Sequence, residues 1–124
     1  MPVRSLRSSV LRWPDQRKVN EAVSSWARRQ AAERPGVVAA GYYGSYARND
    51  WGVGSDVDLI VVVDAAPEPF EGRSAKWDVT GLPVPADLVV YTTGEFRNAA
   101  GRGDRFARIL RSEVVWVFGV PPDD

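Results

Sequence analysis

The sequence predicts an α/β (α+β) domain, a mixed β-sheet of about four strands with flanking helices. Three observations lead there. The runs Val37–Tyr43, Asp56–Val63, Ala86–Thr92 and Val114–Phe118 have the length and the β-branched, apolar character of strands. Segments with helical apolar spacing precede and separate them. The 124 residues are enough for one domain with a single core.

Residues 1–13 are read as an N-terminal arm, 14–120 as the domain, and Pro121-Pro122-Asp123-Asp124 as a tail expected to fray. Pro14-Asp15 has the chemistry of a helix start. Val19, Ala22, Val23, Trp26 and Ala27 then recur on one helical face. Arg28, Arg29 and Arg34 are expected near the helix end, where cations suit the dipole, and Pro35-Gly36 stops it. Val37–Tyr43 follows as a strand, Ser45–Asn49 as a short helix, and Asp50-Trp51-Gly52-Val53-Gly54 as a glycine-rich loop. Asp56–Val63 is apolar enough to be buried on both faces. Beyond the loop Ala65–Pro69, a short helix is expected around Ser74–Trp77. After the third strand, Thr93-Gly94-Glu95-Phe96 opens a helix with Thr93 as N-cap. Gly101-Arg102-Gly103 interrupts it, and Asp104–Arg111 resumes with Phe106, Ile109 and Leu110 on one side.

Composition narrows the chemistry. With no cysteine there are no disulfides, zinc-thiolate sites or thiol nucleophiles. With no histidine there is no Ser-His triad, and acid–base or metal work falls on Asp, Glu, Tyr, Lys or Arg. Net charge is zero but uneven. Residues 1–34 hold eight basic and three acidic groups, residues 56–95 two and eight, and residues 96–111 five and one. The basic flanks suit an acidic partner, nucleotide phosphates or nucleic acid. No apolar stretch has the length of a membrane span, and Met1–Arg12 lacks a continuous apolar core, so a cytoplasmic location is expected.

One spacing carries the functional reading. Gly44-Ser45 is followed, after ten residues, by Asp56-Val57-Asp58, at the head of the apolar run Leu59–Val63. Carboxylates beside a buried strand need a partner. Two apart on a strand, Asp56 and Asp58 share a face, and a divalent cation is the usual remedy for their repulsion. A Gly-Ser turn that opens a short helix offers N–H groups and a hydroxyl to an anion. Asp87, ahead of Leu88-Val89-Val90, joins the pair if its strand neighbours Asp56–Val63. The combination points to phosphoryl or nucleotidyl transfer with Mg²⁺. In a two-metal arrangement, Asp56 and Asp58 would bridge the ions, and Asp87 would hold the one at the acceptor hydroxyl and receive its proton.

The runs Gly44-Ser45-Tyr46-Ala47-Arg48 and Ser55-Asp56-Val57-Asp58-Leu59 resemble the signature of the DNA polymerase β-type nucleotidyltransferase superfamily, in its compact form the minimal nucleotidyltransferases. Asp87-Leu88-Val89-Val90-Tyr91 resembles that family's third-carboxylate strand. Asn49 stands where such sequences often have glycine. The resemblance implies a nucleotidyltransferase fold, catalytic and metal-binding roles for Asp56, Asp58 and Asp87, and nucleotide contacts from Gly44, Ser45, Arg48 and Ser55. It also implies Mg²⁺, two ions, and transfer of a nucleoside monophosphate, AMP from ATP. Many minimal members pair with an all-helical HEPN-type toxin, and some attach AMP to a tyrosine of that partner. The small chain leaves little surface for an acceptor pocket of its own, which favours a partner-borne hydroxyl and an antitoxin role. The alternatives are a non-catalytic module that binds a toxin or nucleic acid, and an enzyme acting on a small molecule such as an aminoglycoside. Tyr42, Tyr43 and Tyr46 are read as packing residues, and Trp51 as either a lid or a base-stacking residue.

Overall fold

The computed structural model describes residues 13–122. The expectations for residues 1–12 and for Asp123-Asp124 lie outside it. The first helical stripe becomes helix α1, Gln16–Glu33, which buries Val19, Val23, Trp26 and Ala27. Asp15 is its N-cap, accepting the Lys18 N–H at 2.9 Å. The expected cationic helix end is not found, since no basic residue lies in the last turn. Arg34 instead follows the helix, donates to the Lys76 carbonyl, and lies 4.0 Å over the Trp77 ring.

The remaining elements are β1 (Val37–Tyr43), α2 (Ser45–Arg48), β2 (Val57–Val63), α3 (Phe70–Arg73) with a 3₁₀ turn Ser74–Lys76, β3 (Ala86–Thr92), α4 (Thr93–Gly101), α5 (Arg105–Ser112) and β4 (Val115–Gly119). The helix expected around Ser74 therefore starts four residues earlier and only ends there. The α4 N-cap is Thr92, not Thr93. Its hydroxyl accepts the Glu95 N–H while the Glu95 carboxylate accepts the Thr92 N–H, a reciprocal capping box. Thr92 can do this because its backbone is still extended as it leaves β3.

The sheet has the order β3-β2-β1-β4. β1 is antiparallel to β2 and β4, whereas β2 and β3 run parallel. A parallel pair needs a long crossover, which residues 64–85 supply. Strand alternation divides the core. Val57, Leu59, Val61 and Val63 pack with the α1 residues on one face. Ile60 and Val62 pack with Phe96, Ala99, Ala100 and Leu110 from α4 and α5 on the other. β2 is thus buried on both faces, as its composition predicts.

Arg73 is the one buried charged side chain among the described residues. It pins the crossover to the sheet through the Glu68 and Val90 carbonyls and both Glu95 carboxylate oxygens. The Arg73 hydrogen bonds, with the Thr92 N–H, pull the Glu95 carboxyl down to about 2.

Candidate active site

In the parallel register of β2 and β3, Asp58 lies directly opposite Asp87. Asp58 shares its face with Ile60 and Val62, and Asp87 shares its face with Val89 and Tyr91. Both therefore point to the α4/α5 side. Asp56 comes from the loop just before β2 and not from the strand itself. Each of the three offers a carboxylate oxygen, and these oxygens lie within 4.8 Å of one another. Asp58 is half-buried, while Asp56 and Asp87 are exposed. Burial, then the charges of Asp56 and Asp87, raise the Asp58 carboxyl above its ordinary range.

The other flank of Asp58 is β1, where it pairs with Tyr43. Gly44 follows immediately, with φ 82° and ψ −151°, a conformation essentially restricted to glycine. A Cβ at Gly44 would collide with Asp58 Oδ2. The Gly-Ser turn and the Asp-x-Asp run are thus in direct contact across the β1–β2 pair, which explains why Gly44 is a glycine. Asn49, at φ 61°, closes the single turn of α2 in the left-handed region. Asparagine tolerates that region better than most residues, so it serves where glycine is common.

Arg48 reaches back over this turn. Its Nε donates to Asp50 Oδ2 at 3.1 Å and its Nη1 to Glu113 Oε2 at 3.3 Å. The same Glu113 oxygen accepts the Gly44 N–H at 2.8 Å. Ser45, partly buried, starts α2 beside Gly44. The Ser55 hydroxyl accepts the Gly52 N–H at 2.8 Å and so closes the loop ahead of Asp56.

Of the tyrosines read as packing residues, Tyr42 and Tyr46 are fully buried. Gln16 donates to the Tyr42 hydroxyl, which donates to Asn20; the Tyr46 hydroxyl donates to the Pro14 carbonyl. Trp51 stacks on Tyr46, 8° from parallel, which makes it part of the packing of α2. Tyr43 also packs, partly buried with its ring edge-on to Phe106, but beside the carboxylates. Burial and the charges of Asp58, Tyr91, Asp87 and Glu113 push its phenol up to about 12. Glu113, which follows α5, was invisible to sequence reasoning. No local motif marks it, and only the pairing of β1 with β4, which sets Val115 opposite Tyr42, brings it to Gly44.

Three hard oxygen donors so close together, one of them already resisting ionisation, fit a divalent cation such as Mg²⁺. Comparison with known proteins agrees with this chemistry. Residues 24–117 match the family described as nucleotidyltransferase domain. The fold is similar to that of a Sulfolobus solfataricus protein described as a candidate nucleotidyltransferase. The TM-score is 0.59 at 20% identity, over 82% of this chain and 80% of that one. No curated protein matches. The family match spans most of the chain, the likeness to the archaeal structure extends to the fold, and the protein belongs to the nucleotidyltransferase domain family.

Proposed function

We propose that the protein transfers AMP from ATP to a hydroxyl of a partner protein, with Asp56, Asp58 and Asp87 holding Mg²⁺ and Gly44, Ser45, Arg48 and Ser55 serving the nucleotide. The observation that carries this reading is the convergence of the three carboxylates on one face, in contact with the Gly44 turn. The reaction is an in-line displacement. The acceptor oxygen attacks the α-phosphorus, the bond to the β-phosphate oxygen breaks, and pyrophosphate leaves. The acceptor proton passes to a carboxylate oxygen of Asp87, which is exposed to solvent. Ser45 and Arg48 hold and orient the triphosphate. Bound Mg²⁺ supplies charge neutralisation at the phosphates.

The acceptor is proposed to come from outside the domain. None of the cavities lined by Arg34 and Trp77, by Phe96 and Trp116, by Phe70 and Tyr91, or by Trp26 and Asp78 includes any of the three carboxylates. Asp56 and Asp87 are exposed, and Asp58 is half-buried. Arg105 and Arg108, exposed on α5, offer cationic guidance to an acidic partner surface. A helical HEPN-type toxin with a tyrosine acceptor suits these features, and the protein then acts as an antitoxin. Incubation with the product of the neighbouring reading frame, ATP and Mg²⁺ should add AMP to a tyrosine of that product, read by mass spectrometry. Efficient adenylylation of an aminoglycoside with none of the protein modified would refute the partner assignment.

A further inference from the structure

The residues assigned to the triphosphate already hold an anion from within the chain. Glu113 Oε2 accepts the Gly44 N–H at 2.8 Å and lies 3.3 Å from Arg48 Nη1. Of the two carboxylates paired with Arg48, it is the more enclosed. The Glu113 side chain is 19% exposed, against 59% for Asp50. Its charge also bears on Asp58 and Tyr43, which places it at the edge of the carboxylate cluster. A phosphate that reaches Arg48 and the Gly44 amide meets this carboxylate, and two anions do not share one pair of donors without a large electrostatic cost.

We propose that Glu113 is the internal counter-anion of the nucleotide site, seated on Arg48 and the Gly44 amide and exchanged for the triphosphate when nucleotide binds. It is a positioning residue. In the free protein it orients Arg48 and satisfies a buried N–H that would otherwise lack an acceptor. On binding, Arg48 changes partner from carboxylate to phosphate. Glu113 thereby sets the affinity for nucleotide without touching the α-phosphorus. The inference rests on the nucleotide reading of Gly44 and Arg48.

Glu113→Gln separates the charge from the contact. The amide oxygen still accepts the Gly44 N–H, and the side chain keeps its length, but the competing charge is gone. Calorimetric titration with ATP, with and without Mg²⁺, should show the variant binding about fivefold more tightly, in line with one partly exposed ion pair. Adenosine, which lacks phosphates, should bind both proteins equally. In an Arg48→Ala background the gain should shrink. Equal or weaker ATP affinity in a folded Glu113→Gln protein overturns the inference.

The wild-type protein supplies a second measurement that no folding defect can obscure. In an amide NMR titration, saturating ATP should shift the Gly44 N–H and Arg48 Nε–H resonances, whereas adenosine leaves both in place. Unmoved resonances under saturating ATP also overturn it. Absence of ATP binding by both proteins has a different meaning: it refutes the nucleotide reading itself, and the inference falls with it.

Discussion

Gly44→Ala puts a methyl group where the Asp58 carboxylate lies, and the consequences for stability and for metal binding can be separated. The backbone at Gly44 has φ 82° and ψ −151°. Holding a side-chain-bearing residue there costs about 1–3 kcal/mol. The atom struck is Asp58 Oδ2, the end of a side chain, so rotation of Asp58 relieves the clash at little further energetic cost. What is lost is the placement of a metal ligand. A displaced ligand or ligand support lowers metal affinity by about 10–100-fold. Gly54→Ala is the control. Its φ of 90° imposes comparable backbone strain, but a Cβ there meets nothing within 4 Å. Gly52→Ala, with no positive φ and open space, should be neutral to about 0.5 kcal/mol. The assay is urea denaturation alongside Mn²⁺ titration followed by electron paramagnetic resonance. Gly44→Ala and Gly54→Ala should lose similar stability, and only Gly44→Ala should lose Mn²⁺ affinity. Wild-type Mn²⁺ affinity in Gly44→Ala would refute the reasoning that links the turn to the carboxylate.

Three further outcomes follow from the site and its support. Asp58→Asn should leave apo stability level or raise it near neutral pH. The folded-state carboxyl of Asp58 is raised, so its ionisation opposes folding, and wild-type stability falls as pH climbs from 3.8 through the raised value; the variant should lack that decline in a thermal melt series. Ser45→Ala should weaken ATP binding about tenfold while leaving Mn²⁺ binding near wild type, by calorimetry on both ligands. Glu95 behaves in the opposite sense to Asp58. Its folded-state carboxyl is depressed to about 2, so the stabilisation is present above pH 4.5 and is lost as pH falls towards 2; Glu95→Gln should flatten that part of the acid unfolding profile.

The fold was legible in the sequence where composition forces the outcome. The run from Val57 to Val63 admits only a strand covered on both sides, and Asp15 with the Val19–Ala27 stripe specifies one amphipathic helix. Ala86–Thr92 was bounded correctly because proline precedes it and a helix cap ends it. The cap itself was misplaced by one residue, since Thr92 and Thr93 are chemically identical and only the extended backbone of Thr92 decides between them. The crossover resisted reading because Arg73, a charged residue, is its anchor, and its partners Glu68, Val90 and Glu95 are set by tertiary structure. The carboxylates were legible because Gly44-Ser45 and Asp56-Val57-Asp58 lie on adjacent elements. Glu113 was not, because it lies 69 residues from Gly44 in the chain and approaches it only through the pairing of β1 with β4. Arg48 was read as a phosphate ligand; in the free protein its partners are Asp50 and Glu113.

The central claim is that Asp87 joins Asp56 and Asp58 in one divalent-cation site that serves a nucleotide. Binding of a non-hydrolysable ATP analogue, measured as a function of Mg²⁺ concentration, tests it most directly in wild type and Asp87→Asn. Mg²⁺-dependent binding is expected in the wild type and a loss of about tenfold or more in the variant, with its melting temperature preserved because Asp87 is exposed. The same Mg²⁺ dependence and affinity in both proteins would contradict it.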